Sequence, residues 1–281
     1  MAATSTPPVG PGAKAAVSWA SLQLFDRDAR GWREGLLAEV TKNVLEAALE
    51  AELEAHLGYA RYEQIGRQRG SNSRNGSRRK TLRTCAGPVT VDVPRDRWAT
   101  FAPVTVGKWQ RRTAGLDHLV VPLAAHGSTP EEMAEQLAWV FRNTPAAPLL
   151  DRMAACVRDR LEPWHGRPVA HRHAVILLDR VVVRSRRLGI AAPPVHTAVA
   201  VTTEGQRELL GLWRGQPAAA VERWLEVAQA LRARGAADVD AVVLDPASAA
   251  AAAVSRVWPS AQVYVRGHGE PGSGSGEGTA A

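Results

Sequence analysis

Apolar residues recur at three- and four-residue steps between Leu36 and Leu57. This period predicts an amphipathic helix, and Gly58 is a typical helix stop. The apolar stripe suits either a buried core face or a dimer seam. The opposite face of the predicted helix carries the acidic residues Glu39, Glu46, Glu50 and Glu54.

The chain next passes through residues 67–80, RQRGSNSRNGSRRK, which contain no large apolar side chain. Glycine, asparagine and serine are frequent there, so we predict a loop. The pattern then changes to strict alternation of valine with polar residues, which predicts a strand at 88–93 that ends at Pro94. We expect the segment 101–106 to be its hairpin partner.

Residues 116–141 are predicted to form a helix, a glycine break and a second helix. Thr129 and Glu132 match a capping box at the start of the second helix, with proline at its first position. Two helices joined by a short turn are the outline of a helix-turn-helix, but also of an ordinary helical hairpin. A further helix is predicted at 147–161, ending before Pro163.

The second half of the chain has five short apolar segments typical of strands, together with two segments that show helical patterns. The amphipathic helix is predicted at 217–234, with Gly235 as its stop, and an alanine-rich helix at 247–257. The order of these elements indicates an α/β fold with a mixed sheet covered by helices. Strands are predicted at 174–184, 195–202, 207–213, 241–244 and 261–265.

Composition divides the chain further. Residues 1–30 form a predicted disordered lead and 267–281 a predicted disordered Gly/Ser tail, on either side of regions 31–165 and 170–266. The two cysteines fit no paired motif, and neither a signal peptide nor a membrane-spanning run is evident. These features indicate a cytoplasmic protein with reduced thiols and no membrane partner.

The positive charge is concentrated in one segment. Between Arg61 and Arg112 there are 13 Lys or Arg residues and three acidic residues, whereas the remainder has 22 basic and 25 acidic residues. A preference for arginine over lysine can come from genome composition, but this does not explain the clustering. Concentrated positive charge favours a polyanion such as nucleic acid. The candidate DNA-binding residues are Arg67, Arg69, Arg74, Arg78, Arg79, Lys80, Arg83, Arg95, Arg97, Arg111 and Arg112.

Two aspartates occupy unusual positions. Asp179 interrupts an apolar strand, and Asp245 follows the end of another. A buried carboxylate is costly unless a cation or donors compensate it. Two such residues on neighbouring strands could bind a divalent metal, and their oxygen ligands favour Mg²⁺ or Mn²⁺. The alternatives are an ion pair with a nearby arginine for Asp179 and an Asp-Pro turn for Asp245.

Other catalytic patterns are absent from the sequence. No histidine or cysteine falls at the spacing of a zinc site. The sequence also lacks the phosphate-binding loop of nucleotide-binding proteins and the Gly-x-Ser-x-Gly elbow of hydrolases.

Several segments, in order along the chain, resemble bacterial insertion-sequence transposases of the mutator type. The similarity covers residues 35–266. It is carried by ALEAELEAHLGY (48–59), SRNGSRRKTLRT (73–84), GPVTVDVPRDRWATFAP (87–103), LDRVVVRSR (178–186), ELLGLWRGQ (208–216) and RWLEVAQALRARGAADV (223–239).

The resemblance implies a helical DNA-binding region with a small hairpin at 31–165 and a ribonuclease-H-like domain at 170–266. It also implies an Asp, Asp, Glu triad, of which Asp179 and Asp245 match the first two members. The implied chemistry is metal-dependent hydrolysis of phosphodiester bonds at insertion-sequence ends, followed by attack of a 3′ hydroxyl on target DNA. The implied partners are double-stranded DNA and further copies of the chain or of an intact transposase.

The sequence also departs from the family pattern. Asp245 is followed by Pro246 where the family has glycine, and Arg266 stands where it has cysteine. The helical region that carries the family's catalytic glutamate is not found, since Glu270 and Glu277 lie in the Gly/Ser tail. We therefore expect a C-terminally truncated domain with impaired transposition and a sheet face left uncovered. The alternatives are a DNA-binding derivative that restrains an intact transposase, and a non-functional remnant.

Overall fold

The computed structural model describes residues 33–63, 71–113, 116–141, 146–182, 184–185, 190–191, 193–202, 206–215, 221–244 and 250–265. The predicted disordered lead and Gly/Ser tail lie outside these ranges. No helix within them is both long enough and apolar enough to cross a membrane.

The first long helix is present as predicted. A single turn, α1 (Arg33–Leu36), leads into α2 (Ala38–Leu57). Gly58 ends α2 in the left-handed conformation, with φ at 80°, and its N–H donates to the Glu54 carbonyl. The apolar stripe of α2 packs inside the protein, because Val40, Val44, Leu45 and Leu49 are buried in one cluster with the hairpin that follows.

That hairpin differs from the prediction. Strand β1 (Arg74–Thr84) pairs antiparallel with β2 (Gly87–Asp96), so the partner of β2 precedes it and is not 101–106. Half of the predicted loop is therefore strand. The sequence pattern obscured β1 because Leu82 is its only large apolar residue, and a register shift between Arg74 and Ser77 interrupts its alternation.

The region before Gly127 is shorter than a helix-turn-helix requires. It has one 3₁₀ turn at Leu116–His118 and one α-helical turn, α3 (Val120–Leu123), whose four residues are all buried. Helix α4 (Pro130–Val140) begins with the predicted capping box but contains three glutamates and no basic residue. A buried first helix and an acidic second helix do not suit DNA recognition, so these features favour the structural interpretation of this segment.

Helix α5 (Ala147–Gly166) runs past the predicted end. Pro163 lies inside its last turn, and Trp164 beyond it is buried with 6% exposed. Burial of Trp164 in the core, together with its cation–π contact to Arg167, stabilises a final turn that the proline alone would disfavour.

The predicted strands of the second half are all present. The main sheet contains β3 (Arg172–Val181), β6 (Val195–Val201), β7 (Arg207–Arg214), β8 (Asp238–Leu244) and β9 (Gln262–Val265). Its order is β7-β6-β3-β8-β9. In this sheet β6 pairs antiparallel with both β3 and β7, whereas β8 is parallel to β3 and β9 is parallel to β8. The short strands β4 (Arg184–Ser185) and β5 (Ile190–Ala191) form a separate pair.

Both faces of this sheet are covered. Helices α6 (Val221–Ala233) and α7 (Ala250–Val257) pack on one face, together with Ile176 and Leu178 of β3. The other face joins the apolar cluster of α2, α3, α4, α5 and the hairpin. All seven residues of β6 are buried as a result. The expectation of an uncovered sheet face is therefore wrong for the central strands, because the N-terminal helical region covers that face.

Candidate functional site

The outer face of the β1–β2 hairpin carries arginine side chains. In an antiparallel pair, residues directly opposite one another share a face. Arg79 lies opposite Asp92, and Arg83 lies opposite Pro88. Arg79 is 86% exposed, and its Nε is 3.9 Å from Asp92 Oδ1. At this exposure and distance the ion pair is weak, so Arg79 remains available to another anion.

A third segment extends this face. The Arg83 N–H donates to the Arg111 carbonyl at 2.9 Å, and Arg83 forms an isolated parallel bridge with Arg112. Arg111 and Arg112 are both exposed. We call the exposed residues Arg79, Arg83 and Arg112 the arginine face.

The inner face of the hairpin fixes the arginine face to the core. Leu82, Val89 and Val91 are buried against α2 in a shared cluster. The Asp92 N–H donates to Oε1 of Glu46 on α2 at 2.9 Å. These contacts attach the hairpin to a 20-residue helix, so its arginines project from a rigid support.

Lys80, on the inner face of the hairpin, binds a neighbouring backbone segment. Its Nζ donates to the carbonyls of Gly107 at 2.6 Å and Lys108 at 3.1 Å. Burial lowers the pKa of Lys80, and the neighbouring charge of Arg78 lowers it further. Lys80 thus holds the 107–108 backbone beside β1.

The other candidate DNA-binding residues fall into three groups. Arg74 is held by the carboxylates of Glu50 and Glu54 at 3.2 and 3.4 Å and lies over the Tyr59 ring, so it belongs to the packing of the hairpin on α2. Arg67 and Arg69 lie outside the described residues. The remaining candidates are exposed: Arg78, Arg95, Arg97 and Arg111. Arg78 and Arg95 line a pocket with Lys80 and Val93, on the opposite side of β1 from Arg79.

Asp96 holds the end of β2 in place. It is 2% exposed and accepts hydrogen bonds from Asn72 Nδ2 at 2.8 Å, Thr100 Oγ1 at 2.7 Å, and the N–H groups of Thr100 and Phe101 at 3.1 Å. Burial alone would raise the pKa of Asp96, but these donors outweigh it and hold the pKa far below its usual range. The backbone of its flanking residues Arg95 and Arg97 is thereby held at the end of the hairpin.

Asp179 lies two residues before the end of β3 and is partly exposed. Its Oδ1 accepts from the Arg180 N–H at 2.7 Å, and its carbonyl lies 3.4 Å from Thr197 Oγ1. The alternation of β3 places Asp179 on the same sheet face as Val175 and Leu177, which is the face covered by the N-terminal region.

The second candidate metal ligand, Asp245, lies outside the described residues. The last described residue before it is Leu244, which pairs with Leu178 of the neighbouring parallel strand. Among the described residues, no group of three His, Cys, Asp or Glu side chains is arranged to hold a metal ion.

Two residues beside the arginine face, Lys108 and Trp109, are absent from the candidates that the sequence indicated. Lys108 is exposed, and Trp109 is 86% exposed. The sequence signal was present as GKWQRR (107–112), in which an aromatic residue stands between cations.

Comparison with known proteins agrees with the resemblance. The family model described as Transposase, Mutator family, matches residues 13–265. A probable transposase for insertion sequence element ISRM3-like from Sinorhizobium fredii is 31% identical over 228 residues, which are 81% of this chain and 56% of that protein. The transposase for ISRM3 from Rhizobium meliloti gives the same identity and coverage.

A more distant relative, the transposase for IS905 from Lactococcus lactis, is 28% identical over 76% of this chain and 54% of that protein. The chain thus spans about half the length of the curated relatives it matches. Since the family model covers most of the sequence, the chain belongs to the Mutator family of transposases.

Proposed function

We propose that this chain binds the DNA of insertion-sequence ends through the arginine face, with the other exposed arginines of this basic segment adding positive charge. The observation that carries the proposal is the concentration of exposed arginines on a rigid hairpin, where the opposing acidic residue, Asp92, is only loosely paired with Arg79. Neighbouring positive charges repel one another and do not stabilise the folded protein, whereas the phosphate backbone of DNA neutralises them.

The arginine face suits phosphate contact more than base reading. Arg83 and Arg112 extend from neighbouring backbone segments, and threonines Thr81 and Thr90 pair with each other between the arginines at 2.9 Å. Side chains that contact phosphates set position and affinity but choose little between sequences. We infer that this surface supplies salt-dependent affinity for any duplex.

We also propose that the main sheet is the ribonuclease-H-like catalytic domain implied by the family resemblance, with Asp179 and Asp245 as ligands of Mg²⁺ or Mn²⁺. The strand register supports this. Leu177 pairs with Val243 and Leu178 pairs with Leu244, so the described end of β8 lies beside the part of β3 that leads into Asp179. Asp245 follows Leu244 in the sequence.

The chemistry of these residues fits a divalent metal, because carboxylate oxygens are the hard ligands that Mg²⁺ and Mn²⁺ prefer. When bound, such ions activate the attacking oxygen and stabilise the leaving oxygen of a phosphodiester. The described residues contribute one carboxylate, Asp179, and the glutamate of the family triad has no match among them. We therefore propose that cleavage by this polypeptide alone is weak.

The alternative is a DNA-binding protein that restrains an intact transposase by occupying DNA ends or by forming mixed oligomers. One observation favours it: the exposed arginines on the hairpin do not use the acidic site, because the hairpin that carries them packs on α2. DNA binding and cleavage are therefore separable in this chain.

The binding proposal is tested by changing the arginine face to Arg79→Ala, Arg83→Ala and Arg112→Ala together. A matched control removes the same charge from exposed arginines elsewhere, as Arg152→Ala, Arg158→Ala and Arg256→Ala. We expect the first variant to bind duplex DNA more weakly and to lower the steepness of log affinity against log salt by about 0.9 for each phosphate that it no longer neutralises. Equal slopes in wild type and both variants would contradict the arginine face.

The catalytic proposal is tested with the same DNA in Mg²⁺. We expect any nicking of labelled insertion-sequence ends to be abolished in Asp179→Asn and kept in Asp238→Asn, an exposed aspartate at the opposite end of the sheet. Salt-sensitive binding with no nicking by the wild type supports the DNA-binding alternative. Nicking that survives Asp179→Asn would refute the metal assignment.

A further inference from the structure

Trp109 occupies the corner of a tightly held turn. The Gln110 N–H donates to the Gly107 carbonyl at 3.1 Å, and the Gly107 N–H donates to Gln110 Oε1 at 3.0 Å. Lys80 Nζ binds the carbonyls of Gly107 and Lys108 from below. Hydrogen bonds from Gln110 and Lys80 thus hold the backbone that carries the indole, although the side chain itself is 86% exposed.

Folding offers no reason for tryptophan at this position. Burial is the main stabilising contribution of an aromatic side chain, and Trp109 gains almost none. Turn corners generally favour glycine, asparagine, aspartate or serine. The exposed ring is free to contact a ligand, and its neighbours indicate which kind.

The surroundings of Trp109 are cationic. A cavity of about 400 Å³ is lined by Trp109 together with Lys80, Arg83, Lys108 and Arg111, and no acidic residue lines it. Lys108 Nζ lies 5.6 Å from the Trp109 ring centroid, which leaves most of the ring exposed. Arg83 belongs both to this cavity and to the arginine face, so the two surfaces are continuous.

A flat aromatic ring beside several cations matches the chemistry of an unpaired nucleotide. The ring can stack on a base while lysine and arginine neutralise its phosphates. Bases inside a duplex already stack on each other and present only their edges. Because basic residues and no acidic residue line this cavity, it would repel a partner protein with a positively charged surface.

We propose that Trp109 stacks on an unpaired base of a single-stranded DNA end, while the arginine face holds the adjoining duplex. This inference rests on the proposed function, since it assumes that the arginine face binds DNA. It adds a substrate class, DNA with a junction between duplex and single strand, in place of continuous duplex.

The experiment uses the full chain and two labelled DNAs: a blunt duplex, and the same duplex with a single-stranded 3′ extension containing 2-aminopurine. We expect wild type to bind the extended DNA more tightly and to quench the 2-aminopurine by stacking. Trp109→Ala should lose between about 5-fold and about 100-fold in affinity for the extended DNA, with unchanged affinity for the blunt duplex. Trp109→Phe, which keeps an aromatic ring, should retain part of both signals.

Trp98→Ala is the matched control, because Trp98 is also exposed, at 58%, but does not line this cavity. We expect it to behave as wild type. If Trp109→Ala quenched 2-aminopurine and preferred the extended DNA as strongly as wild type, the inference would be wrong. Salt-dependent binding of the blunt duplex would still support the proposed function. Absence of duplex binding by wild type would overturn both proposals. If a protein bound at this cavity and Trp109→Ala left DNA binding unchanged, the cavity would belong to a protein partner and the inference would be wrong.

Discussion

Asp96 is the residue on which the end of the hairpin most depends. Its carboxylate accepts from Asn72, Thr100 and Phe101, and removing the charge in Asp96→Asn would place an amide donor against these donors. We expect the free energy of unfolding to fall by about 2 kcal/mol or more at pH 7, measured by urea unfolding. Asp92→Asn, at a 45% exposed side chain, is the control and should change it little.

The pH dependence of this effect has a definite sign. The folded state holds the pKa of Asp96 far below its usual range, so its stabilisation is present above the unfolded pKa of about 4. That stabilisation is lost as pH falls from about 4 towards the lower folded value. The gap between wild type and Asp96→Asn should therefore be present at neutral pH and shrink as the pH falls below about 4. A gap that did not shrink below about pH 4 would show that the ionised Asp96 carboxylate is not the stabilising group.

Elements with strong apolar patterns were predictable from the sequence, and β1 was not. Helix α2 and strand β3 contain enough apolar residues for their periods to be read directly. Strand β1 shows basic and polar residues on both sides, because its inner side uses Lys80 to bind carbonyls where a buried strand would place an apolar residue. Its position depends on β2 and α2, which a local pattern cannot reveal.

The continuation of α5 past Pro163 gives an element-scale prediction. Proline has no N–H to donate and its ring crowds the preceding turn, so it destabilises the interior of a helix. We expect Pro163→Ala to raise the free energy of unfolding by about 1–2 kcal/mol, measured by urea or thermal unfolding. Pro130→Ala is the matched control, because Pro130 occupies the first turn of α4, where proline is favourable.

That control should leave stability unchanged or slightly reduced. Stabilisation by both substitutions would mean that proline acts through the unfolded chain and not through the helix geometry. Destabilisation by Pro163→Ala alone would mean that the proline ring contributes to the packing around Trp164.

At the scale of the whole molecule, the sequence predicted the strands β3 and β6 from their apolar runs, but it did not predict that both of their faces would be covered. It did not reveal which elements cover each face. That information lies in contacts between distant residues, such as the His126 backbone, which bonds to both Leu212 and Arg214 of β7. The candidate site divides in the same way: residue types indicated Asp179 and the basic segment, whereas the role of Arg74 in packing required the fold.

These long-range contacts make the sheet dependent on the N-terminal region. Val175, Leu177, Leu212 and Val243 lie in one apolar cluster with α3, α4 and α5. A fragment of residues 167–265 would expose this face to water and lose its contribution to stability. We expect the full chain to unfold in one cooperative transition, and the fragment to bind the dye ANS and to lack a sharp thermal transition, followed by circular dichroism. A fragment that melted as cooperatively as the full chain would show that α6 and α7 suffice to stabilise the sheet, and that the N-terminal region is attached to it without supporting it.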